Sequence, residues 1–206
     1  MLEGALDDPE NNRVFLGRIA EQAARLQSLI HDLLDLARIE SQPARRPAEP
    51  MELASCVAAR LEDHQRVADA KGVSLGLAAD AEVVVSAAPD DVQQIIDNLV
   101  NNAINYTPAE GSITVTVSAE DGFGVIAVQD TGIGISREDQ ARIFERFYRA
   151  DRARARSAGG TGLGLAIVKH IAQSFGGAVE VTSQLGQGST FRVRLPLSAA
   201  GQQRNA

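Results

Sequence analysis

Asn98-Leu99-Val100-Asn101-Asn102 places two carboxamides four residues apart, and on a helix such a pair shares one face. Amide oxygens suit a hard cation such as Mg²⁺, and amide NH₂ groups suit phosphate oxygens. By itself the pair also fits a solvated helix face. Asp130-Thr131-Gly132-Ile133-Gly134-Ile135-Ser136 follows a predicted strand. A carboxylate there can accept a hydrogen bond from an exocyclic amine, and the glycines let backbone approach a flat ring. A tight turn that needs positive φ is the plainer alternative. Ile143-Phe144-Glu145-Arg146-Phe147-Tyr148-Arg149 joins arginines to aromatics whose simplest role is anchoring. Finally, Gly159-Gly160-Thr161-Gly162-Leu163-Gly164-Leu165-Ala166 opens a predicted helix. Backbone N–H groups uncrowded by side chains make a phosphate cradle there. The Lys-Ser/Thr ending of a P-loop is missing and no strand precedes the segment, which excludes both that loop and a dinucleotide fingerprint. A flexible linker is the other reading.

The elements that must position these residues can be read from the pattern. Residues 11–41 form one long helix with Phe15, Ile19, Leu26, Leu29, Leu33 and Leu36 on heptad a and d positions, broken by Gln22. Such a stripe needs a helical partner, although packing on the main domain is an alternative. Asp7-Asp8-Pro9-Glu10-Asn11-Asn12 resembles a hairpin hinge, so residues 1–41 are read as a partial helical hairpin, mainly its second helix. Residues 42–50, with Pro43 and Pro47, are read as a linker. From 51 to 198 helices and strands alternate: helices at 53–71, 89–106, 137–143 and 163–175, strands at 73–79, 83–87, 112–119, 123–129, 178–183 and 189–196. Pro89 suits a first helical turn and Gly72 a helix stop. The expected class is α+β, a two-layer sandwich of a mixed, mostly antiparallel sheet and three helices. Residues 199–206 are read as a disordered tail.

Composition narrows the function. Twenty Lys and Arg against twenty-seven Asp and Glu leave a net charge of −7, which argues against a nucleic-acid surface. Apolar residues are 44 % and aromatics 4 % with no Trp, so the core must consist of Leu, Ile, Val and Ala. Cys56 is alone, which excludes an internal disulfide and suits a reducing compartment. No apolar run approaches the roughly 18–20 residues of a spanning helix. A soluble, cytoplasmic chain without membrane contact is expected, compatible with a membrane anchor elsewhere in an intact protein.

In this order the four motifs resemble the N, G1, F and G2 boxes of the sensor histidine kinase catalytic domain, whose Bergerat ATP fold is shared with type II topoisomerases and mismatch-repair ATPases. The resemblance runs from about residue 14 to Leu197. It implies that Asn98 and Asn102 hold Mg²⁺ and phosphates, with Asn102 the metal ligand. It also implies that Asp130 binds the adenine amino group in a pocket shaped by Gly132, Gly134 and Ile135. Arg146 and Arg149 would approach the phosphates, and Gly160, Thr161, Gly162, Leu163 and Gly164 would cradle them. Residues 150–161 resemble the ATP lid; a solvated loop is the competing reading for its Arg152, Arg154 and Arg156. Thr190 would support Asp130 from a neighbouring strand. One departure is Asn105-Tyr106, where many members carry Lys-Tyr, so a phosphate contact at 105 lacks its charge.

The family phosphorylates a His followed by Glu-x-x-Thr/Asn-Pro. His31 precedes Asp32, but Leu36 stands where Pro belongs, and His64 and His170 have no such context. The acceptor is therefore expected on a segment outside this chain, upstream of Met1. The implied activity is transfer of the ATP γ-phosphoryl group to that His for relay to a response regulator, in a homodimer built through the hairpin. An anti-sigma-type serine kinase shares the boxes but lacks the hairpin helix. A nucleotide-responsive interaction module is the rival outside enzymes, and turnover of a supplied acceptor separates it.

Overall fold

The computed structural model describes residues 9–41, 48–79, 82–150, 161–199 and 201. Helix α1 spans Pro9–Ser41. Its apolar side chains Phe15, Ile19, Leu26, Leu33 and Leu34 are exposed. Its neighbour in the fold is the last helix, which it touches.

The stretch read as a linker ends in a strand, β1 (Glu49–Glu52), antiparallel to β3 (Val84–Ala87). Four residues containing Pro50 give no alternation to read, and a proline is tolerated only on such an edge. Helix α2 (Leu53–Lys71) begins on the Glu52 carboxylate, which accepts from the N–H groups of Ala54 and Ser55 at 2.9 and 2.6 Å. It ends at Gly72, left-handed with φ 71°, as expected.

The main sheet holds β2 (Ser74–Ala79), β4 (Ser112–Glu120), β5 (Phe123–Asp130), β7 (Gly188–Pro196) and β6 (Ala178–Gln184), in that spatial order. β2 runs parallel to β4 and the other neighbours are antiparallel. β3, expected as a strand, lies outside this sheet in the two-stranded ribbon with β1, and the ribbon is bridged to the sheet at Val85 and Leu197. Helices α2, α3 (Pro89–Tyr106) and α5 (Gly164–Ser174) cover one face. The core there is aliphatic: Leu53, Ile95, Leu99, Ile113, Val115, Ile126, Ile167, Val193 and Leu195 are buried. Thr114, Thr116, Gln129, Thr190 and Arg192 have the opposite strand parity and form the uncovered face. This is the expected two-layer α/β sandwich.

Helix α4 is shorter than expected, Arg137–Gln140. The chain then tightens into i→i−3 turns, with Arg142 donating to the Asp139 carbonyl and Glu145 to that of Arg142, both at 2.8 Å. The tighter path brings Ile143 into the core and Phe144 edge-on to Phe191, with ring centroids 6.5 Å apart. Residues 1–8, 42–47, 151–160 and 202–206 lie outside the described residues, and with them Asp7 and Asp8 of the expected hinge, most of the linker, Gly160, most of the expected lid and the end of the tail. Pro9–Asn12, read as part of the hinge, are instead the first turn of α1, and Gly201, read as part of a disordered tail, is buried with its N–H donating to Ser198 Oγ at 3.1 Å.

Candidate nucleotide-binding site

α3 presents Asn98 and Asn102 half-buried on one face, with Asn105 and Tyr106 exposed at its end. Asn98 Nδ2 donates to the Gln94 carbonyl at 2.9 Å, which aims Oδ1 at α5. A Cβ on Gly164 would stand 2.5 Å from that oxygen, so the two helices meet without slack. The first and last of the four motifs are thus in contact.

The second motif closes against the end of α3. Ile133 N–H donates to the Tyr106 carbonyl at 3.2 Å. A Cβ on Gly132 would lie 2.6 Å from that carbonyl oxygen and 2.7 Å from Asp130 Oδ1, so only glycine fits. Gly134, at φ 69°, packs on the backbone of Gln184 and Leu185, and Gly186 N–H donates to the Ile133 carbonyl at 2.7 Å. Ile135 N–H donates to Ser183 Oγ at 2.8 Å, and Gln140 ties the Ile135 and Ser183 carbonyls together.

Asp130, at 6 % exposure, sits at the bottom of this corner. Its Oδ1 accepts from Gly132 N–H at 2.8 Å and from Ser189 N–H at 3.3 Å. Oδ2 takes no hydrogen bond from the described residues, which leaves one acceptor for a ligand amine. Ser189, and not Thr190, supports Asp130: the register pairs Asp130 with Ser189 and Gln129 with Thr190. Thr190 therefore belongs to the opposite face, because a one-residue offset reverses the face. Ser189 is in turn within 3.0 Å of Ser183 Oγ. No period-2 signal marked Ser183 or Gln140; each acts through a hydrogen bond to backbone.

Burial raises the Asp130 carboxyl above the usual Asp range, against the lowering effect of the Gly132 and Ser189 N–H groups. A carboxyl raised by folding makes the fold less stable above both pKa values than below them, so ionised Asp130 costs stability at neutral pH. Its charge as an acceptor is also lost at a higher pH than for an ordinary Asp. Adenine-nucleotide affinity should thus begin to fall on acidification before the ordinary Asp range is reached. Calorimetric titrations across pH 4–7 check this, and a flat profile there contradicts it.

The third motif joins the fourth. Phe147 N–H donates to the Gly162 carbonyl at 2.9 Å, and Phe147 is itself left-handed at φ 60° and 59 % exposed. Gly162, φ 77°, has room for no side chain beside Phe147 and Tyr148. The Tyr148 hydroxyl donates to Asp139 Oδ1 at 2.5 Å and Ser136 Oγ to Oδ2 at 2.6 Å, which pins the chain just before residue 150. Arg146 is exposed and Arg149 half-buried at this edge. Leu163 is buried, and its N–H donates to Thr161 Oγ1 at 3.2 Å; that group is thus occupied here, contrary to the expectation that it is offered to a ligand. α5 begins without any side-chain cap, so its first N–H groups take no capping oxygen.

The donor set fits an adenine nucleotide: one free carboxylate oxygen in a glycine-shaped corner, then amides, then an uncapped helix start. Among the described residues no group of three His, Cys, Asp or Glu could hold a metal. The Asn98–Asn102 pair fits a Mg²⁺ that arrives with phosphates and keeps most of its own ligands.

A mixed sheet covered on one face by helices, with the acceptor carboxylate and three glycine turns at one end, defines a Bergerat-type nucleotide-binding module. Comparison with known families agrees. Residues 87–199 match the histidine kinase-, DNA gyrase B- and HSP90-like ATPase family, and residues 1–42 match the His Kinase A (phospho-acceptor) domain. The sensor-like histidine kinase SenX3 of Mycolicibacterium smegmatis is 37 % identical over 195 residues, 95 % of this chain and 51 % of that protein. The phosphate regulon sensor protein PhoR of Pseudomonas aeruginosa is 36 % identical over 192 residues, 93 % of this chain and 43 % of that protein. The crystal structure of full-length ShkA in complex with AMPPNP superposes with a TM-score of 0.78 at 32 % identity, covering 90 % of this chain and 39 % of that one. The chain belongs to the two-component sensor histidine kinase family. It spans about half the length of these curated relatives or less.

Proposed function

We propose that the chain binds Mg-ATP in this corner and transfers its γ-phosphoryl group to a histidine nitrogen, for relay to an aspartate of a response regulator. The observation that carries the reading is Asp130: a buried carboxylate whose Oδ1 is held by two backbone N–H groups next to Gly132, while Oδ2 takes no hydrogen bond from the described residues. Oδ2 accepts from the adenine amine, and Gly132 and Gly134 give the ring room. Asn98, Asn102 and the start of α5 hold the phosphates, Arg146 and Arg149 neutralise charge at the rim, and Thr161 releases the Leu163 N–H by turning its hydroxyl. Asn102 holds Mg²⁺, which when bound offsets negative charge on the phosphate oxygens. In phosphoryl transfer such positioning and charge neutralisation are most of the catalysis.

None of the chain's three histidines is the acceptor. His64 Nε2 is engaged with Asp97 at 2.8 Å, His170 lies on α5, and His31 lacks the proline context. The acceptor belongs on a helix that packs along α1, whose exposed Phe15, Ile19, Leu26, Leu33, Ile30, Leu16 and Leu34 form one apolar stripe about 100° wide. A stripe that wide suits both a hairpin partner and a second copy, hence a homodimer. Among the described residues no helix is long and apolar enough to cross a membrane, which suits work on the cytoplasmic side. Labelled ATP with Mg²⁺, alone and with a polypeptide carrying a His-Glu-x-x-Thr-Pro helix, tests this. Phosphohistidine should form on the added helix and not on this chain. Strong labelling of His31, or nucleotide binding with no transfer to any supplied helix, would overturn it.

A further inference from the structure

Helix α2 carries none of the four motifs, yet it grips α3 at two points by polar bonds. At the first, Asp97 Oδ1 accepts from Arg60 Nε at 3.0 Å, Arg60 Nη2 at 2.9 Å and His64 Nε2 at 2.8 Å, while Oδ2 takes Arg60 Nη2 at 2.8 Å. Arg60 Nη1 is held by Asp63 Oδ2 at 2.7 Å, so the guanidinium cannot turn without breaking a second pair. At the second point, Lys71 Nζ donates to the carbonyls of Ile104 and Asn105, two of the acceptors a helix end leaves open. Asp97 and Ile104 are seven residues apart, about two turns, so both grips fall on one side of α3.

Apolar contact between α2 and α3 is non-directional and tolerates a small roll. A planar fork on a carboxylate does not, because it fixes distance and orientation together. Arg60 and Asp97 side chains are only 28 % and 31 % exposed, so water competes weakly. Burial acts to raise the Asp97 carboxyl, but the hydrogen bonds from His64 and Arg60 outweigh it and hold it below the usual range, hence ionised. About 100° further round α3, Asn98 Oδ1 lies 2.5 Å from where a Gly164 Cβ would stand, so this side of the helix approaches α5 closely. A roll of α3 therefore drives Asn98 into α5 or away from it, and Asn102, one turn on, moves with it.

We propose that Asp97, held by Arg60 and His64, is a positioning residue that sets the rotation of α3 and so the aim of Asn98 and Asn102 at the Mg-phosphate group. This rests on the nucleotide reading above and names the residues outside the four motifs that make it work. Calorimetry with Mg-ADP and with adenosine on wild type, Asp97→Asn, Asn102→Ala and the double variant tests it. Asp97→Asn should lose roughly tenfold in Mg-ADP affinity, the scale of outer-shell substitutions at ion sites. Adenosine, which reads the Asp130 corner, should bind within about twofold of wild type, and the double variant should lose less than the sum of the two single losses, because Asn98 still depends on Asp97 when Asn102 is gone. Arg60→Lys keeps the charge without the fork and should reproduce part of the loss, a check if Asp97→Asn unfolds. Mg-ADP affinity unchanged by both Asp97→Asn and Arg60→Lys overturns the proposal. So does an equal loss for adenosine, or a loss that adds fully to that of Asn102→Ala. If Asn102→Ala itself leaves Mg-ADP affinity intact, the metal assignment fails instead, independently of what Asp97→Asn does to fold or affinity.

Discussion

Asp130→Asn should cost roughly 10–150-fold in ADP affinity while making the unliganded protein more stable. The opposite signs follow from one geometry. Gly132 and Ser189 both direct N–H groups at Oδ1. In the variant the amide oxygen must stay there, so its NH₂ takes the Oδ2 position and faces the adenine amine, donor against donor. Turning the amide over repairs the ligand contact but sets NH₂ against two backbone donors. Either way a charge-assisted bond worth about 1.5–3 kcal/mol is lost, which converts to the stated range. Stability moves the other way because burial raises the Asp130 carboxyl, and removing the charge removes that cost at neutral pH. A 6-oxo purine offers an acceptor at the same place, so the gap between ADP and GDP should narrow. Calorimetry with both nucleotides and a thermal melt without ligand decide it; unchanged ADP affinity removes Asp130 from the adenine site.

The parts of this site legible in the sequence are those where one residue type is forced by local geometry. Pro89 at a helix start, Gly72 at a helix stop and the alternation of Ile113, Val115 and Val117 placed α3, α2 and β4 almost to the residue. Gly132, Gly134, Gly162 and Gly164 mark close approaches that a Cβ would block, and spacing alone suggested backbone near a ligand. What stayed hidden depends on register or on partners far along the chain. Ser189 and Thr190 are neighbours of similar chemistry, and only pairing with β5 tells which faces Asp130. Thr161 gave no sign of taking the Leu163 N–H, because a hydroxyl two residues away has several backbone targets. β1 is too short to alternate. The Arg60–Asp97 grip joins residues 37 apart on two helices and has no sequence period at all.

Gly164→Ala should lower Mg-ATP affinity by roughly tenfold to a hundredfold while leaving adenosine affinity within about twofold. The added methyl would lie 2.5 Å from Asn98 Oδ1 and 3.3 Å from its Cγ, closer than atoms can settle, so one of two things must move. If Asn98 swings aside, it gives up the bond to the Gln94 carbonyl and loses its aim at the phosphates. If the start of α5 retreats, the uncapped N–H groups withdraw from the Asn pair by a comparable distance. Loss of one hydrogen bond to a charged phosphate, worth about 1.5–3 kcal/mol, is enough for the stated loss. The Asp130 corner is built by β5, β7 and the end of α3, so the ring should still bind. Stability should change little, because alanine reduces unfolded-chain freedom by about 0.4–1 kcal/mol and offsets part of the displacement. The comparison of Mg-ATP with adenosine on the same protein separates a displaced cradle from a damaged fold. Equal affinity for Mg-ATP in wild type and variant would mean that Asn98 and the start of α5 do not hold the phosphates together.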